Sequence, residues 1–299
     1  GDHRDLHYPL RRQRQMCIRD RSLFFSKESA RIVGLVLLII VISVNCTAQS
    51  KCAAYTVVEN ISYKNDNLSS SYISERCKLD VYSCDTLKNV PVVVWFHGGG
   101  LTSGSKYIPD ELKGKGIVVV AVNYRLLPRV NIDECLDDCA AAVAWVFGNV
   151  LRFGGNKRSI YLSGHSAGGY ITAMLGLDKT LLARYGVDAD SIKALVPFSG
   201  QMISHFAYRD MNGIGNLQPL VDKFAPLFHV RPNCPPLVLI TGDAETELLG
   251  RYEENLYMWR MMKLCGHTAT SIYKIDGHDH GAMCHPAFHI LLHTIAKYR

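Results

Sequence analysis

Ser166 stands in Gly164-His165-Ser166-Ala167-Gly168-Gly169, where an apolar, β-branched run gives way to an apolar helical stretch. This is the G-x-S-x-G pattern in the context its chemistry needs. The turn from strand to helix is sharp, and its glycines permit a strained backbone that lifts the serine hydroxyl clear as a nucleophile. A second group lies upstream, where His97-Gly98-Gly99-Gly100 follows Val92-Val93-Val94-Trp95-Phe96. Three successive glycines leave backbone N–H groups unobstructed toward a substrate oxygen. Together with the N–H of Ala167, at the positive end of the following helix, they can hold the oxyanion of an acyl-transfer intermediate. A plain tight turn would explain the glycines alone, but it leaves the serine turn unexplained. Such chemistry also requires an imidazole to take the serine proton and a carboxylate to orient that imidazole.

The elements that must position these groups are legible as alternating patterns. Near-continuous apolar runs at Val90–Phe96, Ile117–Val122, Ser159–Ser163, Ala194–Phe198, Leu237–Thr241 and Ser271–Ile275 predict strands covered on both faces. Helical stretches are expected over Asp133–Phe153, Ala167–Leu177, Leu248–Cys265 and Pro286–Tyr298. Strand and helix taking turns implies βαβ units and a mostly parallel sheet, with Tyr55–Val58 and Lys78–Tyr82 as antiparallel edge strands. Residues 49–299 read as one domain. The stretch from about 200 to 236 breaks the rhythm and is expected to form a small cap, whose aromatics Phe206, Tyr208 and Phe228 suggest a short or medium acyl group or an aromatic ester.

HGGG, then Asn123-Tyr124-Arg125-Leu126, then GHSAGG, then a late His-Gly resemble the α/β-hydrolase superfamily over roughly residues 75–299. Within it, the carboxylesterases of hormone-sensitive-lipase and acetyl or feruloyl esterase type are the most similar. The resemblance implies the α/β-hydrolase fold, a mostly parallel central sheet with helices on both faces. It also implies Ser166 as nucleophile, Gly99, Gly100 and Ala167 as the oxyanion hole, and Tyr124 and Arg125 as supports near the site. The family orders its triad serine, acid, histidine, so the acid is expected in Thr241-Gly242-Asp243-Ala244-Glu245-Thr246-Glu247. Many relatives place it three residues past the glycine, which selects Glu245; Asp243 is the rival, often a loop brace in relatives, and Glu247 stands behind both. A Gly-x-x-His-Gly ending points to His280 as the base, with His278 as the alternative. No cofactor is required, and the expected partner is a small-molecule ester.

Composition narrows the surroundings. The chain has 299 residues, 48% hydrophobic and 20% charged, which excludes a disordered or low-complexity polymer. Its formal charge of +6 is concentrated at one end: the first 48 residues carry eight Lys/Arg and four acids, leaving 25 basic and 23 acidic residues. That balance does not call for nucleic acid. Residues 32–44 are uncharged and apolar, too short to span a bilayer, preceded by Lys27 and Arg31 and followed by Cys46 and Ala48. They read as a secretory signal cleaved after Ala48, so that the membrane enters only through this segment; a retained anchor and a lipid on Cys46 are the rivals. Residues 1–22 resemble translated linker more than a targeting region. In an exported chain Cys77 with Cys84, or Cys135 with Cys139, are candidates for pairing.

Three further readings compete. His278, His280, Cys284, His285 and His289 lack a recognised metal-ligand spacing, so no metal is expected. An arylformamidase uses a related serine turn and glycine loop to cut an amide. A non-catalytic binding protein on the same fold would commonly lack the nucleophile or the histidine. The sequence leaves open the natural ester and the oligomeric state.

Overall fold

The computed structural model describes residues 54–64 and 71–299. The apolar run at 32–44, the cleavage after Ala48, Cys46 and residues 1–22 lie outside the described residues. Within them the strands are β1 (Thr56–Ser62), β2 (Lys78–Ser83), β3 (Val90–Phe96), β4 (Val118–Val122), β5 (Gly155–His165), β6 (Ala194–Phe198), β7 (Leu237–Thr241) and β8 (Thr270–Lys274). The helices are α1 (Ser71–Arg76), α2 (Ile132–Asn149), α3 (Ala167–Leu177), α4 (Lys179–Ala183), α5 (Phe206–Met211), α6 (Arg251–Leu264) and α7 (Cys284–Tyr298). The eight strands form one sheet in the order β1-β2-β4-β3-β5-β6-β7-β8. β2 runs antiparallel to both β1 and β4, and all other pairings are parallel. With helices on both faces, this is the α/β-hydrolase fold.

The apolar runs lie in the middle of the sheet because each can fill two cores at once. In β3, Val90, Val92, Val94 and Phe96 join a core with Leu136 of α2, Tyr170 of α3 and Met258 of α6. Val93 and Trp95 point the other way, into a core with Phe288 and Leu291 of α7. The same alternation repeats in β4, β5, β6 and β7, as a pleat with a period of two residues requires. β1, by contrast, is almost wholly exposed and forms an edge.

The helix expected over Asp133–Phe153 begins one residue early and ends at Asn149, continuing as a 3₁₀ turn over Val150–Phe153. Its start is secured by a capping box, in which Glu134 N–H donates to Asn131 Oδ1 (2.9 Å) and Asn131 N–H to Glu134 Oε2 (3.0 Å). α6 starts at Arg251 rather than Leu248, because Gly250 adopts a left-handed φ of 67° just before it. The short helices α1, α4 and α5 carry too little periodicity to be read from sequence.

The cysteine pairings considered from sequence do not form. Cys77, Cys135 and Cys139 are free thiols, whereas Cys84 is disulfide-bonded. Cys77 and Cys84 sit at opposite ends of β2, separated by roughly 20 Å of extended chain, far beyond the ~7 Å limit for a bridge. Cys135 and Cys139 stand one turn apart on α2, where Cβ atoms lie about 5–6 Å apart, too far for a relaxed bridge.

Arg125 and Asp138 form a buried ion pair behind the glycine loop. Asp138 Oδ2 accepts from Arg125 Nε (2.7 Å) and the Arg125 backbone N–H (3.1 Å), and Oδ1 from Arg125 Nη2 (2.9 Å) and Lys64 Nζ (2.6 Å). Removing the carboxylate would leave the Arg125 guanidinium, only 9% exposed, with Glu134 at 3.5 Å as its remaining acid, while Lys64 would keep Asp137 (2.7 Å). Asp138→Ala is expected to cost about 3–5 kcal/mol, read from chemical denaturation; an unchanged midpoint would contradict this.

Candidate active site

Ser166 joins β5 to α3 with φ 58° and ψ −114°, a conformation rarely adopted by non-glycine residues. Its N–H donates to Phe198 O (2.8 Å), and its carbonyl accepts from Tyr170 N–H (3.0 Å). The turn works only because α3 passes very close to β3. A Cβ on Gly168 would lie 2.0 Å from Phe96 O, so a side chain there would push the helix away.

His280, in the loop after β8, places Nε2 2.8 Å from Ser166 Oγ and Nδ1 2.6 Å from Glu247 Oε1. Its position is supported from below by His165, whose Nε2 lies 2.7 Å from His280 O and whose ring centroid is 4.7 Å from that of His280. Burial, then the charge of His280, push His165 down to about 4. The neutral ring can therefore donate to that carbonyl.

The carboxylate that the fold brings to His280 is that of Glu247, whereas the expected Glu245 lies away from it. Glu245 is exposed, and no hydrogen bond joins its side chain to His280 among the described residues. Asp243 braces the loop: its Oδ2 accepts from Gly277 N–H (2.7 Å) and its Oδ1 from Glu245 N–H (3.1 Å). Thr246 and Glu247 N–H both donate to Asp243 O (3.1 and 2.8 Å), closing a turn that carries Glu247 back over the strand end. Counting three residues past Gly242 assumes a more open loop than this one. His278 donates no bond to Ser166; its Nδ1 lies 2.9 Å from Asp276 O.

Glu247 has no exposed side-chain surface. Oε1 accepts from His280 Nδ1 and Leu248 N–H (2.9 Å), and Oε2 from Ser199 Oγ (2.8 Å) and Gly242 N–H (3.1 Å). Burial alone would raise its pKa, but the bonds from His280 and the Leu248 amide, the His280 charge and the Ser199 hydroxyl together bring it down to about 2.

The glycine loop passes directly beside the serine. A Cβ on Gly98 would lie 3.5 Å from Ser166 Cβ. Gly99 has φ 105°, and its carbonyl is held by the N–H groups of Thr102 (3.1 Å) and Ser103 (2.9 Å). Among the described residues, the N–H groups of Gly99, Gly100 and Ala167 donate to no protein acceptor. Tyr124 anchors the loop from behind: its hydroxyl donates to His97 O (2.8 Å), and its ring stacks on His97 at 4.4 Å. Burial holds His97 down at about 4.

A cleft of about 220 Å³ opens between the cap and the acid loop. Gln201, Phe206 and Asn216 line one side and Leu248 and Leu249 the other. Phe206 also covers the glycine loop, its ring 3.3 Å from where a Cβ on Gly100 would sit. The other two cap aromatics are elsewhere: Tyr208 packs on Phe224, and Phe228 is 59% exposed against His229. No group of three or more His, Cys, Asp or Glu side chains arranged to hold a metal occurs among the described residues, and His285 pairs with Glu111 (2.7 Å).

Three groups make the protein sensitive to acid in the same direction. The folded pKa values of His97 and His165 (about 4, against 6.5) and of Glu247 (about 2, against 4.5) are all depressed. Each contribution is present above the unfolded value and is lost as pH falls toward the folded one. Denaturation midpoints should therefore decline from pH 6.5 downward. Glu247→Gln should flatten the part below pH 4.5, worth about 3 kcal/mol in the parent. A parent whose stability is level from pH 6.5 to 2 would contradict this.

The sequence matches the Carboxylesterase family over residues 43–225. It is 39% identical over 92 residues to carboxylesterase NlhH of Mycobacterium tuberculosis, covering 29% of each chain. It is 28% identical over 199 residues to isoprenylcysteine alpha-carbonyl methylesterase ICME of Arabidopsis thaliana, covering 57% of this chain and 46% of that one. The chain thus spans less than half the length of these curated relatives. Among solved structures, a truncated carbohydrate esterase from gut microbiota matches with a TM-score of 0.68 at 16% identity, over 83% of this chain and 98% of that one. Thermogutta terrifontis esterase 2 matches with a TM-score of 0.63 at 21% identity, over 82% and 95%. These structural likenesses bear on the fold. The family match spans the glycine loop and Ser166 and covers well over half of the sequence: the chain belongs to the carboxylesterase family.

Proposed function

We propose that this chain is an exported serine carboxylesterase that hydrolyses a small-molecule ester through Ser166, His280 and Glu247. The observation that carries the reading is the continuous relay from Ser166 Oγ to His280 Nε2 (2.8 Å) and from His280 Nδ1 to Glu247 Oε1 (2.6 Å). Ser166 Oγ attacks the ester carbonyl carbon while its proton passes to His280 Nε2, and the carbonyl π electrons move onto oxygen. That oxyanion is met by the N–H groups of Gly99, Gly100 and Ala167. Collapse of the intermediate breaks the bond to the leaving oxygen, which takes the proton from His280. Water then enters, gives its proton to His280 and cleaves the acyl-enzyme by the reverse sequence. Glu247 remains ionised throughout and stabilises the imidazolium.

The cleft beside the site supports an apolar substituent on the ester, received between Phe206 and Leu248–Leu249. A short or medium acyl group or an aromatic one fits this lining. Export rests on the apolar run at 32–44, and sequencing the mature protein from outside the cytoplasm should find Gln49 first; an intact leader there would refute it.

With short-chain nitrophenyl esters, Ser166→Ala should abolish nearly all turnover and fluorophosphonate labelling, and Glu247→Ala should cost on the order of 1000-fold or more. Glu245→Ala should stay within about twofold of the parent. Phe206→Ala should shift relative kcat/KM toward longer acyl chains by about tenfold. A parent that is folded yet inert to the label would instead indicate a binding protein, and an active Glu247→Ala would remove that residue from the mechanism.

A further inference from the structure

We propose that Arg251 receives a carboxylate at the far end of the acyl group, so that the esters this site prefers are monoesters of short dicarboxylic acids. The assignment rests on the catalytic reading above and names the substrate class for the same site. The cleft abuts the reacting atoms, since Leu248 directly follows Glu247 and Phe206 covers the glycine loop. Its walls are apolar, formed by Phe206, Leu248 and Leu249, but its polar lining consists of Gln201, Arg209, Asn216 and Arg251, with no acid among them. At about 220 Å³ it falls below the roughly 300–1,000 Å³ of sites for drug-sized ligands, which restricts it to a short substituent.

Arg251 is 2% exposed and forms no ion pair among the described residues. Its Nη1 donates to Ser199 O, and its buried Nε has no acceptor. Arg209, 3% exposed, is also without an ion pair; it donates only to the backbone carbonyls of Ser204, Gly215, Asn216 and Gln218. The acids whose charge reaches Arg251 are Glu254 and Glu247, and both are engaged elsewhere. Glu254 Oε2 accepts from Met202 N–H (2.9 Å), and four donors occupy Glu247. Burial pulls the Arg251 guanidinium below its ordinary value and lifts the Glu254 carboxyl above its own, so neither charge satisfies the other.

A buried cation and an unmet donor are each costly, and the cost falls when a ligand answers them. A clamp on the Ser199 carbonyl would account for one nitrogen of Arg251 but leaves the charge uncompensated beside an open cleft. A neutral acceptor would supply a hydrogen bond without the charge. A carboxylate supplies both, and its bond to a guanidinium is of the strong, charge-assisted kind. So little exposure suits contact with a single oxygen atom, while the methylenes between that carboxylate and the ester lie against Phe206 and the two leucines.

The test compares kcat/KM for mono-nitrophenyl adipate with that for the same ester bearing a carboxamide in place of the carboxylate, in the full chain. The ratio is taken within one preparation, so general damage to the site cancels. The parent should favour the carboxylate by about tenfold or more, as a hydrogen bond to a charged group predicts. Arg251→Met should bring the ratio to about one, and Arg251→Lys, which keeps the charge but not the planar fork, should lower it severalfold. Where Arg251→Met does not fold, Arg251→Lys carries the comparison. A parent ratio of one or below, or a preference unchanged in the folded variants, would overturn the role of Arg251. Turnover of both esters by Ser166→Ala at the parent rate would instead overturn the catalytic reading beneath it.

Discussion

The site depends on keeping one carboxylate charged where water does not reach it. An isolated carboxylate transferred into such a place would take up a proton. Glu247 avoids this because four donors occupy its two oxygens, and their combined effect outweighs burial by enough to bring its pKa to about 2. The consequence reaches outward. A carboxylate held this firmly presents Oε1 to His280 Nδ1 in a single geometry, which directs Nε2 toward Ser166.

The sheet supplies that geometry through the order of its strands. β3, β5, β6, β7 and β8 are neighbours in that sequence, all parallel, so their C-terminal ends lie side by side along one edge. From those ends emerge in turn the glycine loop, Ser166, Ser199, Glu247 and His280. Open parallel sheets place ligands beyond the carboxyl ends of their strands for this reason. The two cores clamp the sheet from both faces, and Gly168 lets α3 approach β3 closely beside Ser166.

Support extends behind the site as well. Tyr124 holds the glycine loop through His97, and the next residue, Arg125, is locked by Asp138 on α2. Two histidines, His97 buried and His165 half-buried, flank the arrangement, both pushed toward the neutral form by burial, so they contribute hydrogen bonds without adding charge near Glu247. The cap contributes differently: Phe206 closes over the glycine loop, and Arg209 pins the cap chain by donating to Ser204 O (3.1 Å) and Asn216 O (3.1 Å).

The sequence by itself determined the parts governed by near neighbours. Apolar runs of five to seven residues predict buried strands because each must fill a core on both faces, and Ala194–Phe198 and Leu237–Thr241 emerge with the ends expected. The serine turn and the glycine loop are legible for the same reason, since the backbone shapes they need restrict which residues can occupy them. The choice among Asp243, Glu245 and Glu247 belongs to the tertiary structure. All three lie within five residues, and nothing local separates them. A turn closed on Asp243 O and a hydroxyl from β6, 48 residues earlier in the chain, decide which one meets His280. Short-range periodicity carries no record of such long-range donors, so which carboxylate meets His280 is decided only once the strands lie side by side.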